Sequence, residues 1–188
     1  ESQEIGLLRR NQYMALELCN SDKIVTPTDY QKRQLPDLLR RNCIVINDGV
    51  DAKFFQTKSI SNNKNPVVTY GTRGMEPMRC FRQFIQSIPD ILRMIPSACI
   101  EILGEDKICY GGLPPNKNQS WAEWAKQYLR EAGVENKVIW KGRMNYFDYR
   151  DWLQGSWCHV YLSQPFVASW SLLEALMTGI PIVANEVS

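Results

Sequence analysis

From Pro66 onward, short apolar runs alternate with amphipathic segments, and this alternation constrains the fold more than any other feature of the chain. Val67-Val68-Thr69-Tyr70 reads as a strand, and Arg79 to Met94 reads as a helix with Phe81, Phe84, Ile85, Ile88 and Leu92 on its buried side. A strand is expected over Ala98 to Leu103, then a helix from Trp121 to Ala132 closed by Gly133. The strand Val138 to Trp140, the helix Tyr146 to Leu153 and the strand Cys158 to Leu162 continue the series. A helix opening at Trp170 and a strand from Pro181 to Ala184 end it. Strands that alternate with helices predict a parallel sheet with right-handed crossovers, an α/β fold with helices on both faces. Ligands of such sheets bind beyond the carboxyl ends of the strands.

The first part of the chain is less regular. Ile5, Leu8, Tyr13 and Leu16 have helical spacing between Ile5 and Asn20. Lys23 to Thr26 reads as a strand, Pro27-Thr28-Asp29 as a helix entry, and Cys43 to Ile46 as a second strand after a short basic helix. Asn47 to Asp51 reads as a turn or linker, and the polar run Lys58 to Asn65 as a loop. At 188 residues the chain has room for one well-packed domain and part of another. It begins inside a helical pattern and stops just after a strand, so it is expected to be a piece of a longer protein, truncated at both ends.

Charge and cysteine usage narrow the function classes. A net charge of +2 does not suggest a nucleic-acid binder. Cys19, Cys43, Cys80, Cys99, Cys109 and Cys158 show no C-x-x-C spacing and read as reduced, buried small hydrophobes of a cytosolic protein. His159 is the only histidine, which argues against a zinc site. No apolar run reaches membrane-spanning length, and no signal peptide is visible.

The polar residues gather at the expected strand ends. After Val67–Tyr70 come Gly71 to Arg79, with glycines for close backbone approach and Arg73 and Arg79 either for chelating phosphate, which the position at a strand end favours, or simply solvated on a surface loop. The next strand ends in Gly104-Glu105-Asp106, whose carboxylates either face a polar ligand or cap the loop. A flexible-looking insertion, Lys107 to Asn118, covers the same edge. Then comes Lys141-Gly142-Arg143, where a glycine lets a flat group lie against the backbone. Ser169 is placed as an N-cap for the last helix, its hydroxyl accepting from the amide of Trp170, Ser171 or Leu172. Such a helix start is an anion site, and Glu174, one turn on, is positioned for sugar hydroxyls. Phosphate at the helix tip and hydroxyls one turn further on describe a nucleotide with its ribose; the alternative is a Glu174 that points to solvent, as on many amphipathic helices.

These landmarks, in this order, resemble the donor-binding half of GT-B glycosyltransferases of family 4, the retaining group 1 enzymes. Asn47-Asp48-Gly49-Val50-Asp51 resembles the family's interdomain linker, and Trp140-Lys141-Gly142-Arg143 its element near the base. Leu173-Glu174-Ala175-Leu176-Met177 with Gly179-x-Pro181 resembles its Glu-Ala-Met-Ala-x-Gly-x-Pro signature. The resemblance implies a Rossmann-like sheet forming one half of a GT-B fold. It implies donor diphosphate contacts from Arg73 and Arg79 and from the main chain of Ser169, Trp170 and Ser171. Ribose falls to Glu174, and the base lies near Gly142 and Arg143. Arg79 stands where lysine is usual, at a spacing from Arg73 that is not quite the common one. Phe166 stands where the family usually has a first glutamate that touches the donor sugar, a departure read as divergence more readily than decay.

Residues 1 to 48 resemble the last elements of the acceptor-binding domain, and residues 49 to 188 the donor-binding domain. The acceptor-side catalytic residues are expected to lie outside this chain. The expected partners are a nucleoside-diphosphate sugar and a hydroxyl acceptor, a sugar or lipid-linked sugar, with no metal and no cofactor. The expected setting is polysaccharide or glycoconjugate biosynthesis in the cytoplasm. The cluster Arg9, Arg10, Lys23, Lys32, Arg33, Arg40 and Arg41 has the charge to touch an anionic membrane, although a solvated surface is the simpler reading. The apolar faces of residues 1 to 48 are expected to pack on the donor domain or on a second copy of the chain. Two other functions fit the same architecture: a nucleotide-sugar epimerase and a non-catalytic nucleotide-binding scaffold.

Overall fold

Alternate burial organises the first part of the chain. A computed structural model describes residues 3–56, 66–165 and 167–186. The loop expected over Lys58–Asn65 and the position of Phe166 lie outside the described residues. The chain divides into two compact units, residues 1–49 with 166–168, and residues 50–165 with 169–188.

The first unit holds α1 (Gln3–Cys19), β1 (Ile24–Thr26), α2 (Asp29–Gln34), α3 (Asp37–Arg40) and β2 (Cys43–Val45). β1 and β2 pair in parallel, with Ile24 opposite Cys43. Those two side chains are buried while their neighbours Val25 and Ile44 are exposed, the period of two that a pleated strand imposes. The helix entry is capped as expected: the Thr28 hydroxyl accepts from the Gln31 amide at 3.2 Å. α2 stops at Gln34 because Leu35 precedes Pro36 and is extended, with φ −74° and ψ 143°.

The second unit is a five-stranded parallel sheet in the order β5-β4-β3-β6-β7. Its strands are β3 (Val67–Gly74), β4 (Cys99–Glu105), β5 (Val138–Gly142), β6 (Cys158–Tyr161) and β7 (Ile182–Ala184). Its helices are α4 (Phe81–Met94), α5 (Trp121–Glu131), α6 (Tyr146–Gln154) and α7 (Trp170–Met177). From β3 the chain winds outward through β4 to β5, then returns to the other side of β3 with β6. The winding therefore reverses between β3 and β6, and a crevice opens there beyond the strand ends.

One face of the sheet carries Val68, Tyr70, Ile100, Ile102, Val138 and Val160 against the apolar stripes of α4 and α5. The α4 stripe is the expected one: Phe81, Phe84, Ile85, Ile88 and Leu92 are all buried. Thr69, Glu101 and His159 occupy the alternate positions and so face α6. There the Trp152 indole donates to Glu101 at 2.7 Å, and Thr69 Oγ1 lies 2.9 Å from both His159 Nδ1 and Ser156 Oγ. A second core of Phe55, Leu153 and Ala175 packs beneath α6 and α7.

Two boundaries differ from expectation in ways that shape the crevice. β3 does not stop at Tyr70. It continues to Gly74 beside β4, with a register break between Gly71 and Gly74. This approach needs glycine at 104, where φ is +151° and a Cβ would press on the Thr72 carbonyl oxygen. The helix expected from Arg79 begins at Phe81 instead, because a 3₁₀ turn over Pro77–Arg79 ends in left-handed Cys80 at φ 51°. The cysteines are all free, but only Cys43 is buried. Cys19 is exposed and the other four are half-buried, so the expectation of six buried thiols is corrected.

Candidate functional site

At the reversal point a cavity of about 610 Å³ opens, lined from the ends of β3, β4 and β5 and the starts of α6 and α7. Of the expected site residues, Arg73, Arg79, Gly142, Arg143, Ser169, Ser171 and Glu174 all line it. Trp170 does not, and its side chain is 68% exposed. The fold thus brings together residues a hundred positions apart, because each follows a strand whose carboxyl end points to the same rim.

Arg79 is the unusual member. Its side chain is buried, with only 8% of its surface exposed, yet no carboxylate lies within ion-pair distance among the described residues. The guanidinium donates to two neutral oxygens, the Tyr161 hydroxyl at 2.8 Å and Ser163 Oγ at 3.3 Å. It also lies over the Tyr110 and Tyr161 rings, 5.3 and 5.7 Å from their centroids. Its carbonyl accepts from the Tyr70 hydroxyl at 2.7 Å, which fixes the backbone. A buried cation is costly unless an anion compensates it, and here the cation borders an open cavity.

The electrostatics of the remaining rim favour an anion as well. Four cationic side chains, Arg73, Arg79, Lys107 and Arg143, line the cavity against two carboxylates, Glu105 and Glu174. Glu105 is already engaged: Lys107 donates to it at 2.6 Å, and that hydrogen bond holds its carboxyl below the usual range. Asp106 turns away to α5, accepting from the Ala122 amide at 3.2 Å. The two carboxylates left open between ligand and cap therefore divide, one on the cavity wall and one on a helix start.

The insertion after β4 is held more firmly than its composition suggests. Glu76 is fully buried, and its Oε2 accepts from the amides of Cys109 and Tyr110 at 2.6 and 2.7 Å. Its Oε1 has no hydrogen-bond partner among the described residues. This carboxylate ties the first turn of the insertion to β3 and sets the Tyr110 ring against Arg79.

The start of α7 corrects one expectation. Ser169 is the N-cap, but its side chain makes no capping bond; its Oγ lies 2.7 Å from Ser171 Oγ instead. Both hydroxyls are thereby kept at the cavity wall. One turn on, Glu174 Oε1 accepts from the Tyr146 hydroxyl at 2.9 Å. Burial and this carboxylate push Tyr146 up to about 12, and burial, then the same carboxylate, holds Tyr149 well above the usual phenol range. Gly142 sits at φ +62°, a left-handed conformation that suits glycine, and leaves open space where a side chain would project.

Periodicity and motif give no sign of Tyr146, Tyr149, Tyr110, Tyr161 or Glu76 as site residues. The two tyrosines of α6 have the i, i+3 spacing of an ordinary core stripe. Glu76 in a loop looks solvated until its burial is known. His159 is not part of the cavity. It is buried beneath Trp152, and burial lowers its pKa to about 4. No group of three or more metal-ligating side chains occurs among the described residues. No described helix is long and apolar enough to cross a membrane.

Solved structures share this architecture. A glycosyltransferase from Rickettsia africae superposes with a TM-score of 0.71 at 13% identity, covering 88% of this chain and 45% of that one. HepE from Anabaena in complex with UDP-glucose gives 0.72 at 18% identity, covering 95% and 49%. A TarM mutant from S. aureus in complex with fondaparinux, α-GlcNAc-glycerol and UDP gives 0.68 at 16%, covering 95% and 33%. The chain thus spans a third to a half of these structures, and at such identities the likeness concerns the fold. A search of curated proteins found no match. Residues 1–55 match the model of the glycosyl transferase family 4 group, and residues 51–188 match that of glycosyl transferases group 1. With most of its length matched by the latter, the chain belongs to the group 1 glycosyltransferases of GT-B type.

Proposed function

We propose that this chain is the donor-binding part of a retaining glycosyltransferase, which moves a hexose from a nucleoside-diphosphate sugar to a hydroxyl acceptor in polysaccharide or glycoconjugate synthesis. The observation that carries this reading is Arg79, a buried guanidinium whose hydrogen-bond partners among the described residues are neutral, at the wall of a nucleotide-sized cavity. A diphosphate would supply the missing charge.

In this reading Arg73, Arg79 and the first-turn amides of α7 take the diphosphate. Their charge and dipole stabilise it as it departs from the sugar's anomeric carbon. Glu174 accepts from the ribose hydroxyls, and the base lies along Gly142 and Arg143. The charge neutralisation comes from side chains and a helix end, without a metal. Phe166, in place of the usual glutamate, leaves donor-sugar recognition to other groups. Residues 1–48 belong to the acceptor side, whose catalytic groups lie elsewhere. The solved relatives bound to UDP and UDP-glucose make uridine the first base to try.

The test is a thermal-shift panel of UDP, GDP and ADP with their glucose conjugates, run on the chain and on Glu174→Ala. A nucleotide that raises the melting temperature of the first but not the second supports the reading. No shift with any of them overturns it for this chain. The replacement at Phe166 also favours a second reading, a nucleotide-binding scaffold without turnover. Slow donor hydrolysis by a protein that includes the acceptor side would exclude that alternative.

A further inference from the structure

The carboxylate assigned to ribose is not idle. Glu174 Oε1 accepts from the Tyr146 hydroxyl at 2.9 Å, and both residues line the cavity. Tyr146 is the first residue of α6, immediately after the Asn145 N-cap, whose side chain accepts from the Asp148 amide at 3.0 Å. Its ring stacks on Phe54 with centroids 4.9 Å apart and planes 7° from parallel. Edge contact with Phe55 at 5.4 Å supports it from the side. The ring is thus held so that its hydroxyl meets Glu174 from within the cavity.

Tyr149, one turn along, lies beside the same carboxylate, and the two phenols differ in a way that assigns them different roles. Tyr149 is the less exposed of the two, whereas Tyr146 is 50% exposed. Each oxygen of a carboxylate has two acceptor sites, and a vicinal diol that spans both oxygens arrives from the cavity. The Tyr146 hydroxyl meets Oε1 on that side and takes up one of its sites there. The more exposed phenol is the one that can give way at low cost.

We propose that the Tyr146 hydroxyl is a built-in surrogate for a ribose hydroxyl. It occupies Glu174 while the site is empty and is displaced when a nucleoside diphosphate enters. This deepens, and rests on, the donor-site reading above. An internal competitor lowers the apparent affinity for every nucleotide that uses Glu174, because part of the population is occupied by the tyrosine. For a transferase the consequence falls on product release: the phenol returns to Glu174 as the nucleoside diphosphate leaves. Tyr149 stays in place and orients the carboxylate in both states.

The experiment is calorimetry of UDP, GDP, ADP and inorganic pyrophosphate with the chain and with Tyr146→Phe. The variant removes one oxygen and keeps the ring stack, and its melting temperature checks that it folds. The nucleotide that binds the original chain should bind Tyr146→Phe about three- to tenfold more tightly, the range expected for releasing one partly exposed hydrogen bond. Pyrophosphate, which has no ribose, should bind both alike. Equal or weaker nucleotide binding by the variant overturns the proposal while leaving the donor site intact. An equal gain for pyrophosphate also overturns it, since that would mark a general opening of the cavity. If no nucleotide binds either protein, the donor-site reading itself falls, and the proposal with it.

Discussion

Arg79 and Cys80 are adjacent, and each carries a cost that its surroundings explain. Arg79 is buried without a counter-ion among the described residues, held by the Tyr161 and Ser163 hydroxyls and by two aromatic faces. If its charge serves a diphosphate, Arg79→Ala should weaken binding of the nucleotide found in the panel by about 1–3 kcal/mol, a loss of roughly five- to 150-fold. Unchanged affinity in calorimetry would remove Arg79 from the site. Cys80 has a left-handed backbone at φ 51°, the one such non-glycine residue among those described. A side chain there costs roughly 1 kcal/mol, part of which glycine recovers despite its greater freedom when unfolded. Cys80→Gly should therefore raise stability by about 0.5 kcal/mol, read as a higher urea midpoint. A lower midpoint would mean that the half-buried thiol contributes more by packing than the backbone loses by strain.

The elements of the second unit are joined at the rim by a few long-range bonds, of which the Glu76 carboxylate is the clearest. It receives two amides from residues 33 and 34 positions later and so fastens the insertion after β4 to the turn after β3. Glu76→Ala leaves those amides without their acceptor and should cost about 1–3 kcal/mol of stability. It should also release the backbone at Lys107 to Tyr110, so hydrogen exchange of the Cys109 and Tyr110 amides should accelerate well beyond that of the β4 amides. Exchange rates unchanged at both amides would show that the insertion is held by something else. Periodicity places these elements to within a few residues. It misplaces the ends that matter at the cavity, because β3 extends only where Gly104 admits Thr72, and α4 waits for the left-handed turn at Cys80.

Across the molecule, the two faces of the sheet respond differently to pH. The face toward α4 and α5 is apolar, whereas the face toward α6 holds Thr69, Glu101 and His159. Burial depresses His159 from the ordinary 6.5 to about 4, so the folded state keeps it neutral while the unfolded chain takes up a proton. The stability this contributes, about 3 kcal/mol, is fully present above pH 6.5 and is lost as pH falls toward 4. Urea midpoints of the original chain should drop more steeply between about pH 7 and pH 4.5 than those of His159→Gln, which has nothing to protonate there. Parallel curves for the two proteins would contradict a buried neutral imidazole. Because His159 is outside the cavity, the variant should bind nucleotide as the original chain does.

Much of the molecule is legible in the order of its residues. The alternation of strands and helices follows from side-chain periods of 2 and 3.6, which are local, and the rim follows from the rule that ligands meet parallel sheets at their carboxyl ends. Together they place Arg73, Arg79, Gly142, Arg143, Ser169, Ser171 and Glu174 on one rim, where the cavity is found. What periodicity does not supply is the pairings. Arg79 meets Tyr161 across 82 positions, Tyr146 meets Glu174 across 28, and Ser169 turns to the Ser171 hydroxyl rather than to a free amide of the helix it caps. The amino-acid order alone dictates which residue types stand at the strand ends, because strand and helix periods act over a few neighbours. Which of those residues are buried, which are already engaged and which stay open to a ligand is settled in three dimensions, since those properties depend on strand order and on the packing of elements far apart in the chain.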